Sequence, residues 1–250
     1  MSGHSKWSTI KRRKGAEDAK RAKVFTRLAK EIIIAAREGS DENANSKLRL
    51  AVIKARSANM PRENIERTIK RGAGELDGAE AMSEIVYEGY GIEGIAFIVE
   101  VMTDNKNRAL AEIKNVFNKL GGSLATSGAV AWQFDQLGYL TLKGDNHDFD
   151  TVFMVAAEAG ADDVVDEEGI LTVYTPRTAF AAVEEALSNA GYELEDAELR
   201  WFAKNEVEVT TESALKNMKM MERLEELDDV QNVATNMLIS DSIMAAYESA

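Results

Sequence analysis

The chain has 250 residues, room for two or three domains, and its 45% hydrophobic and 29% charged residues suit a globular protein with a sizeable core. It has no cysteine, which excludes disulfides, zinc–thiolate sites and thiol nucleophiles and fits a reducing, cytoplasmic setting. The net charge of -13 hides two opposite halves: residues 1–74 carry 19 Lys+Arg against 8 Asp+Glu, a balance of +11, and residues 75–250 carry 11 against 35, a balance of −24.

From the N-terminus, residues 4–15 show neither a helical nor a strand period and read as an extended arm. A helix over 16–38 follows, stopped by Gly39. Phe25, Leu28, Ala29, Ile32 and Ala36 share one face of it, and Lys20, Lys23, Arg27 and Lys30 share the opposite one. Its strongest apolar run, Ile32-Ile33-Ile34-Ala35-Ala36, is far short of the roughly 20 residues that span a bilayer. The polar, basic start carries no secretory signal. A second helix covers 45–58, with Leu48, Ala51, Val52, Ala55 and Ala58 inward. A third covers 61–71, with Pro61 in its first turn after Asn59 as a cap, and ends at Gly72 and Gly74.

Beyond residue 80 the period changes. Strands are expected over 85–90 and 95–102 around a Gly-rich turn, then a helix over 105–120 closed by Gly121-Gly122. A hairpin over 130–134 and 139–142, a helix over 149–159 and short strands over 163–165 and 170–174 come next. The rest is a helix over 178–190, strands over 194–201 and 207–209, a helix over 213–227 and a strand over 230–235. The recurring two-strand, helix, strand rhythm predicts an α+β fold, with a three-helix module before small α/β sandwiches whose sheets are mainly antiparallel.

Few motifs could carry chemistry. Gly89-Tyr90-Gly91-Ile92-Glu93-Gly94 matches a dinucleotide fingerprint, but the next residues read as a strand, where a phosphate site needs a helix N-terminus. A hairpin turn suits these glycines better. The two histidines, His4 and His147, fall in the arm and a polar loop, so neither suits a general base. Carboxylates cluster at Asp162, Asp163, Asp166, Glu167 and Glu168 and again at Glu225, Glu226, Asp228 and Asp229; such runs are more often solvated faces than magnesium sites. No cofactor, metal site or catalytic set is therefore expected.

The strongest local signal is the arm, where Lys11-Arg12-Arg13-Lys14 forms a compact cationic run that Lys6 and the helix cations extend. Lys and Arg neutralise phosphate backbones whatever the base sequence. Trp7 either stacks on a base or covers the helical module's core. A basic segment docked on its own acidic body is the competing explanation for the charge split, and both can hold. Lys54, Arg56, Arg62, Arg67, Lys70 and Arg71 form a second basic set, as easily a solvated face as a contact.

These residues carry a resemblance. Gly3-His4-Ser5-Lys6-Trp7 with Ile10-Lys11 and Asp18-Ala19-Lys20-Arg21 is similar to the opening of the YebC/PmpR family. So are Ala58-Asn59-Met60-Pro61 with Asn64-Ile65, Tyr87-Glu88-Gly89-Tyr90-Gly91, Asp104-Asn105-Lys106-Asn107-Arg108 and Leu227-Asp228-Asp229-Val230-Gln231, from residue 3 to about 236. The chain departs from that family at Ile92-Glu93, usually Pro-Gly, at Ser123, Ala125 and Ala129 before Trp132, and at Ala234 and Met237.

The resemblance implies a bacterial DNA-binding transcriptional regulator. The family's mitochondrial relatives are translational activators of cytochrome c oxidase, and a ribosome-associated role has been proposed for bacterial members. It also implies three domains: a basic helical domain 1–80, an α/β domain 81–143 with 205–250, and an inserted α/β domain 144–204. The expected partner is DNA or ribosomal RNA, met by Lys6, Trp7, Lys11, Arg12, Arg13, Lys14, Lys20, Lys23, Arg27 and Lys30. The contrasting class is a metal-dependent enzyme on the acidic body, for which no acid–base or nucleophile set is visible. Oligomeric state is left open.

Overall fold

The computed structural model describes residues 18–76, 82–144, 147–167 and 169–249. In chain order come helices α1 (Asp18–Ala36), α2 (Ser46–Ser57) and α3 (Arg62–Gly72), then strands β1 (Ser83–Tyr90) and β2 (Ala96–Thr103). Helix α4 (Lys106–Lys119), β3 (Ser123–Leu124), β4 (Phe134–Leu142), α5 (Phe149–Glu158), β5 (Asp163–Glu167) and β6 (Ile170–Pro176) follow. The chain continues through α6 (Phe180–Asn189), β7 (Leu194–Ala203), α7 (Thr211–Glu225), β8 (Val230–Thr235) and α8 (Asp241–Glu248). Two four-stranded sheets result, ordered β3-β1-β2-β8 and β5-β6-β4-β7. The expected α+β class holds. Among the described residues no helix is long and apolar enough to cross a membrane.

The chain forms two compact units, one from residues 1–30, 80–135 and 201–250 and the other from 31–79 and 136–200. In the first, β1 and β2 form an antiparallel hairpin from Ser83↔Thr103 to Tyr90↔Ala96, and β8 adds antiparallel to the far side of β2. Strand β2 reads as a near-continuous apolar run because both its faces are covered. Phe97, Val99 and Val101 meet Ala109, Ile113 and Phe117 of α4 and Ala214, Met218 and Met221 of α7. On the other side Ala96 and Ile98 meet Ala234, Val130 and Phe134. The i, i+4 spacing of Ala109, Ile113 and Phe117 gives α4 one buried stripe. Phe117 stands edge-on to Phe97 at 5.7 Å, worth about 0.5–1.5 kcal/mol beyond its buried area.

In the second unit, α5 and α6 cover a sheet core of Leu140, Leu142, Val164, Leu171, Val173 and Leu194, with Val152, Ala156, Val183 and Leu187 inward. Asn45 caps two helices at once. Its Oδ1 accepts from Leu48 N at the start of α2, and its Nδ2 donates to Ala35 O and Gly39 O beyond the end of α1, each at 2.8 Å. One buried side chain thus satisfies orphan groups on both helices. Gly72 closes α3 against α1: a Cβ there would lie 2.6 Å from Ile33 O.

Four local expectations change. The hairpin over 130–142 is a 3-10 turn, Ala131–Gln133, followed by the single strand β4. Gly138 lies inside that strand opposite Thr175 because a Cβ would collide with Thr175 Cγ2 at 2.4 Å and Phe180 Cδ2 at 2.5 Å. The expected strand at 207–209 is one isolated bridge, Val207 to Met237, and helix α8 follows β8 where no element was foreseen. Asn59 does not cap α3. It takes a left-handed φ of 59°, and Pro61 occupies the cap position.

Candidate nucleic-acid interface

Lys6, Trp7, Lys11, Arg12, Arg13 and Lys14 lie outside the described residues. Lys20 is on the α1 backbone, with its side chain likewise outside them. Lys23 is described and half-buried. Helix propensity and the apolar stripe of α1 place Lys23, Arg27 and Lys30 along one side at spacings of four and three.

The inner end of this row is engaged within the first unit. Arg27 donates through Nη2 to Glu225 O at the end of α7. Lys30 donates to Asp228 O at 2.7 Å and to Asp229 Oδ1 at 2.6 Å. The other Asp229 oxygen accepts from Arg108 Nη2 at 2.8 Å and Thr103 Oγ1 at 2.9 Å. Burial pushes the Asp229 carboxyl up, but bonds from Lys30, Arg108 and Thr103 outweigh it and hold it below the ordinary aspartate value. Donating to Asp229, and to Asp104 Oδ1 at 2.6 Å, in turn raises the Arg108 guanidinium. Asp229 is 3% exposed, so this is a buried carboxylate with its lone pairs filled by two cations and a hydroxyl.

Of the second basic set, Lys54 is built into the interior. Lys54 is buried against Glu198, with Glu31 at 3.5 Å and Asp196 at 3.9 Å. Desolvation would lower its ammonium, but Glu198, Glu31 and Asp196 raise it, so it stays charged. Arg200 bonds Asp196 at 2.6 Å and lies 3.8 Å over the Tyr139 ring. Arg56 pairs with Glu42 at 3.1 Å, Arg62 with Glu66 at 2.7 Å, and Arg67 bonds Asn64 at 3.2 Å.

The remaining motifs resolve into scaffolding. The glycine run turns β1 into β2, as expected, and strand β2 follows it. A Cβ on Gly89 would lie 2.6 Å from Phe117 Cζ, and one on Gly91 2.3 Å from Asn217 Oδ1. Asn217, fully buried on α7, accepts from Ile92 N at 2.8 Å and donates to Ile92 O at 3.1 Å, which clamps the turn. Glu93 adopts a left-handed φ of 58°, where glycine is usual, and accepts from Ser213 Oγ at 2.6 Å. His147 sits in its loop, 2.9 Å from Lys143 O through Nε2 and edge-on to Tyr192. Among the described residues no group of three or more His, Asp or Glu is placed to hold a metal ion.

Two features escaped sequence reasoning. Glu88, 4% exposed, accepts backbone N–H groups from Gly128, Val130 and Ala131 at 2.5, 2.7 and 2.8 Å. Burial pushes its carboxyl up, and the three amides more than offset that. The loop so fixed presents Trp132, 69% exposed, whose Nε1 donates to Ala129 O at 3.0 Å. The other is the Asp229 hub, whose motifs were visible but whose pairing joins residues over a hundred positions apart.

Comparison with known proteins gives a consistent picture. A family model described as the TACO1/YebC protein N-terminal domain matches residues 5–75, and one described as the TACO1/YebC second and third domain matches residues 82–237. A probable transcriptional regulatory protein of Syntrophotalea carbinolica is 51% identical over 246 residues, 98% of either chain. One of Geobacter sulfurreducens is 50% identical over 245 residues, again 98% of either chain. The crystal structure of a conserved hypothetical protein from Aquifex aeolicus superposes with a TM-score of 0.82 at 41% identity, covering 90% of this chain and 93% of that one.

Proposed function

The chain belongs to the TACO1/YebC family, and from that premise we propose that it is a non-catalytic, nucleic-acid-binding regulator of gene expression, acting in the cytoplasm as a DNA-binding transcriptional regulator. The observation that carries this is the segregation of charge, +11 over residues 1–74 against −24 over the rest. The basic domain 1–80 grips phosphates through Lys6, Lys11, Arg12, Arg13, Lys14, Lys20 and Lys23, with Trp7 against a base. Arg27 and Lys30 close the same row where Glu225, Asp228 and Asp229 hold them. The domains 81–143 with 205–250 and 144–204 form the acidic body, kept off the polyanion by its own charge; the gap between the two family matches, 75 to 82, supports the first boundary. The names of the relatives favour a regulator over an enzyme.

A second reading, a translation factor on ribosomal RNA, is favoured by the make-up of α1. Its polar side holds Lys and Arg with no Asn or Gln, so it is rich in groups for phosphates and lacks the side-chain amides that pair bidentately with adenine edges. Such contacts serve structured RNA as well as duplex DNA.

The test is binding to a duplex DNA, a structured ribosomal RNA fragment and whole ribosomes across a salt series, with Lys11-Arg12-Arg13-Lys14 intact or changed to alanine. Expected is a steep salt dependence, about 0.9 units of slope per phosphate contact on duplex DNA, that collapses in the alanine variant. The tightest probe chooses between DNA and RNA. Equal binding by the alanine variant, or no binding at all, overturns the proposal.

A further inference from the structure

Helix α4 is out of keeping with the body it belongs to. Residues 75–250 balance at −24, yet the 14 residues of α4 hold Lys106, Arg108, Lys114 and Lys119 against one acid, Glu112, which is half-buried. The face left exposed by the buried stripe of Ala109, Ile113 and Phe117 carries Lys106, Asn107, Leu110, Lys114, Asn118 and Lys119, and no carboxylate. An ordinary solvated face mixes both signs. Helix α7 does so, pairing Lys216 with Glu212 and Arg223 with Glu226, each at 2.7 Å. Among the described residues no ion pair involves Lys106, Lys114 or Lys119, although anionic groups outnumber cationic ones in the body around them.

The position of α4 is as telling as its composition. Arg108 in its first turn and Lys30 of α1 bind the two oxygens of one carboxylate, Asp229, at 2.8 and 2.6 Å. The cationic row of α1 and that of α4 therefore start from one point. From Lys106 to Lys119 the helix rises about 20 Å at 1.5 Å per residue, a span of several phosphate steps.

We infer that the exposed Lys/Asn face of α4 is a second nucleic-acid contact, binding the phosphodiester backbone of the same polyanion that the N-terminal domain grips. The inference rests on the proposed function and amends it at one helix: α4, whose exposed side has no carboxylate, joins the contact, while the net charge of the rest of the body repels the polyanion. A strand leaving the α1 row reaches the first turn of α4 and follows its exposed side past Lys106 and Lys114 to Lys119 at the far end, with the asparagines as uncharged donors. Contacts of this kind set position and affinity and leave sequence unread.

The test compares wild type, a Lys106→Gln/Lys114→Gln/Lys119→Gln variant, and a control of equal charge change off this face, Lys143→Gln/Lys204→Gln/Lys219→Gln. Each is titrated against a labelled 30-base-pair DNA duplex and a structured RNA of matched length across a salt series. Glutamine keeps the helix propensity, and thermal unfolding checks the fold. Expected is a loss of about tenfold or more near 0.15 M salt in the α4 variant, with the salt slope lower by about 2–3 units and the control close to wild type. Ultraviolet crosslinking of the wild-type complex should also mark peptides within 106–119, a readout independent of the variant's folding. An α4 variant that binds like the control, or no crosslink on that helix, overturns the inference. If the Lys11–Lys14 alanine variant loses binding at the same time, the proposed function stands. Absence of wild-type binding to either probe overturns both.

Discussion

Lys30 closes on Asp229 at 2.6 Å although 199 positions separate them in the chain. That one bond ties the last turns of α1 to the start of β8, and Arg108 completes it from α4. Asp229→Asn is expected to cost about 2–4 kcal/mol in urea unfolding, because two cations lose their counter-charge around a buried amide. The folded Asp229 carboxyl titrates below its ordinary value. It therefore contributes stability above the ordinary carboxylate range and loses it as pH falls through the folded value, below about pH 4. The variant should show a flatter acid limb; an acid limb as steep as wild type would contradict this assignment.

Glu88→Gln removes a carboxylate from three backbone N–H groups. The amide that replaces it offers one oxygen and turns an NH2 toward another donor. A loss of about 1–3 kcal/mol is expected, together with faster amide hydrogen exchange at Gly128, Val130 and Ala131 and a changed Trp132 emission. Unaltered exchange at those three amides would show that Glu88 does not hold the loop.

Gly91→Ala and Gly128→Ala separate crowding from backbone strain. At Gly91 a Cβ meets Asn217 Oδ1 at 2.3 Å and Phe97 Cε2 at 2.5 Å, so the clamp on the β1–β2 turn must open at a cost of about 1–3 kcal/mol or more. At Gly128 nothing lies within 4 Å, and the cost is that of φ +86° alone, about 1–2 kcal/mol. Chemical denaturation should rank Gly91→Ala as the more damaging, and the reverse order would refute the packing argument.

Lys54→Met leaves Glu31, Asp196 and Glu198 together without their central cation. At neutral pH the expected cost is about 3–5 kcal/mol. Burial already raises the Glu31 carboxyl, and removing Lys54 raises it further. The variant should therefore recover part of its deficit as pH falls and Glu31 takes a proton. Urea midpoints at pH 7 and pH 5 give the comparison, and a deficit that grows on acidification would count against it.

Much of the fold was legible because its signals are local. The helices expected from 45 and from 105 are read from neighbouring letters, and in the structure Asn45 and Asn105 cap them, accepting from Leu48 N and Arg108 N. The glycine run was rightly taken as a turn, because the strand that follows is itself a local pattern. The hairpin expected over 130–142 failed for a physical reason at Gly138. A glycine that breaks a strand and one that makes room for Phe180 look alike until the helix that packs on it is in place. Docking of basic residues on the acidic body was one of the two readings of the charge split, but the partners of Arg27 and Lys30 were illegible, since Glu225 and Asp229 enter from nearly 200 positions away. Lys54 gave no sign that it belongs to a buried cluster rather than a solvated face. The acid-free face of α4 was in plain view, masked by the acidic average around it.

The order of the first sheet also bears on how the chain comes off a ribosome. Strand β2 is covered on one edge by β1 as soon as the hairpin closes, but its other neighbour is β8, with Phe97 facing Thr235. The second sheet has all its strands once Ala203 has emerged, whereas β2 waits for Val230–Thr235. In the interval an apolar edge of sequence Ala96-Phe97-Ile98-Val99 has open backbone donors and acceptors, the sort of surface that recruits other chains. Slow synthesis over the last third of the message should thus raise aggregation of nascent chains, and a chaperone that shields strand edges should lower it.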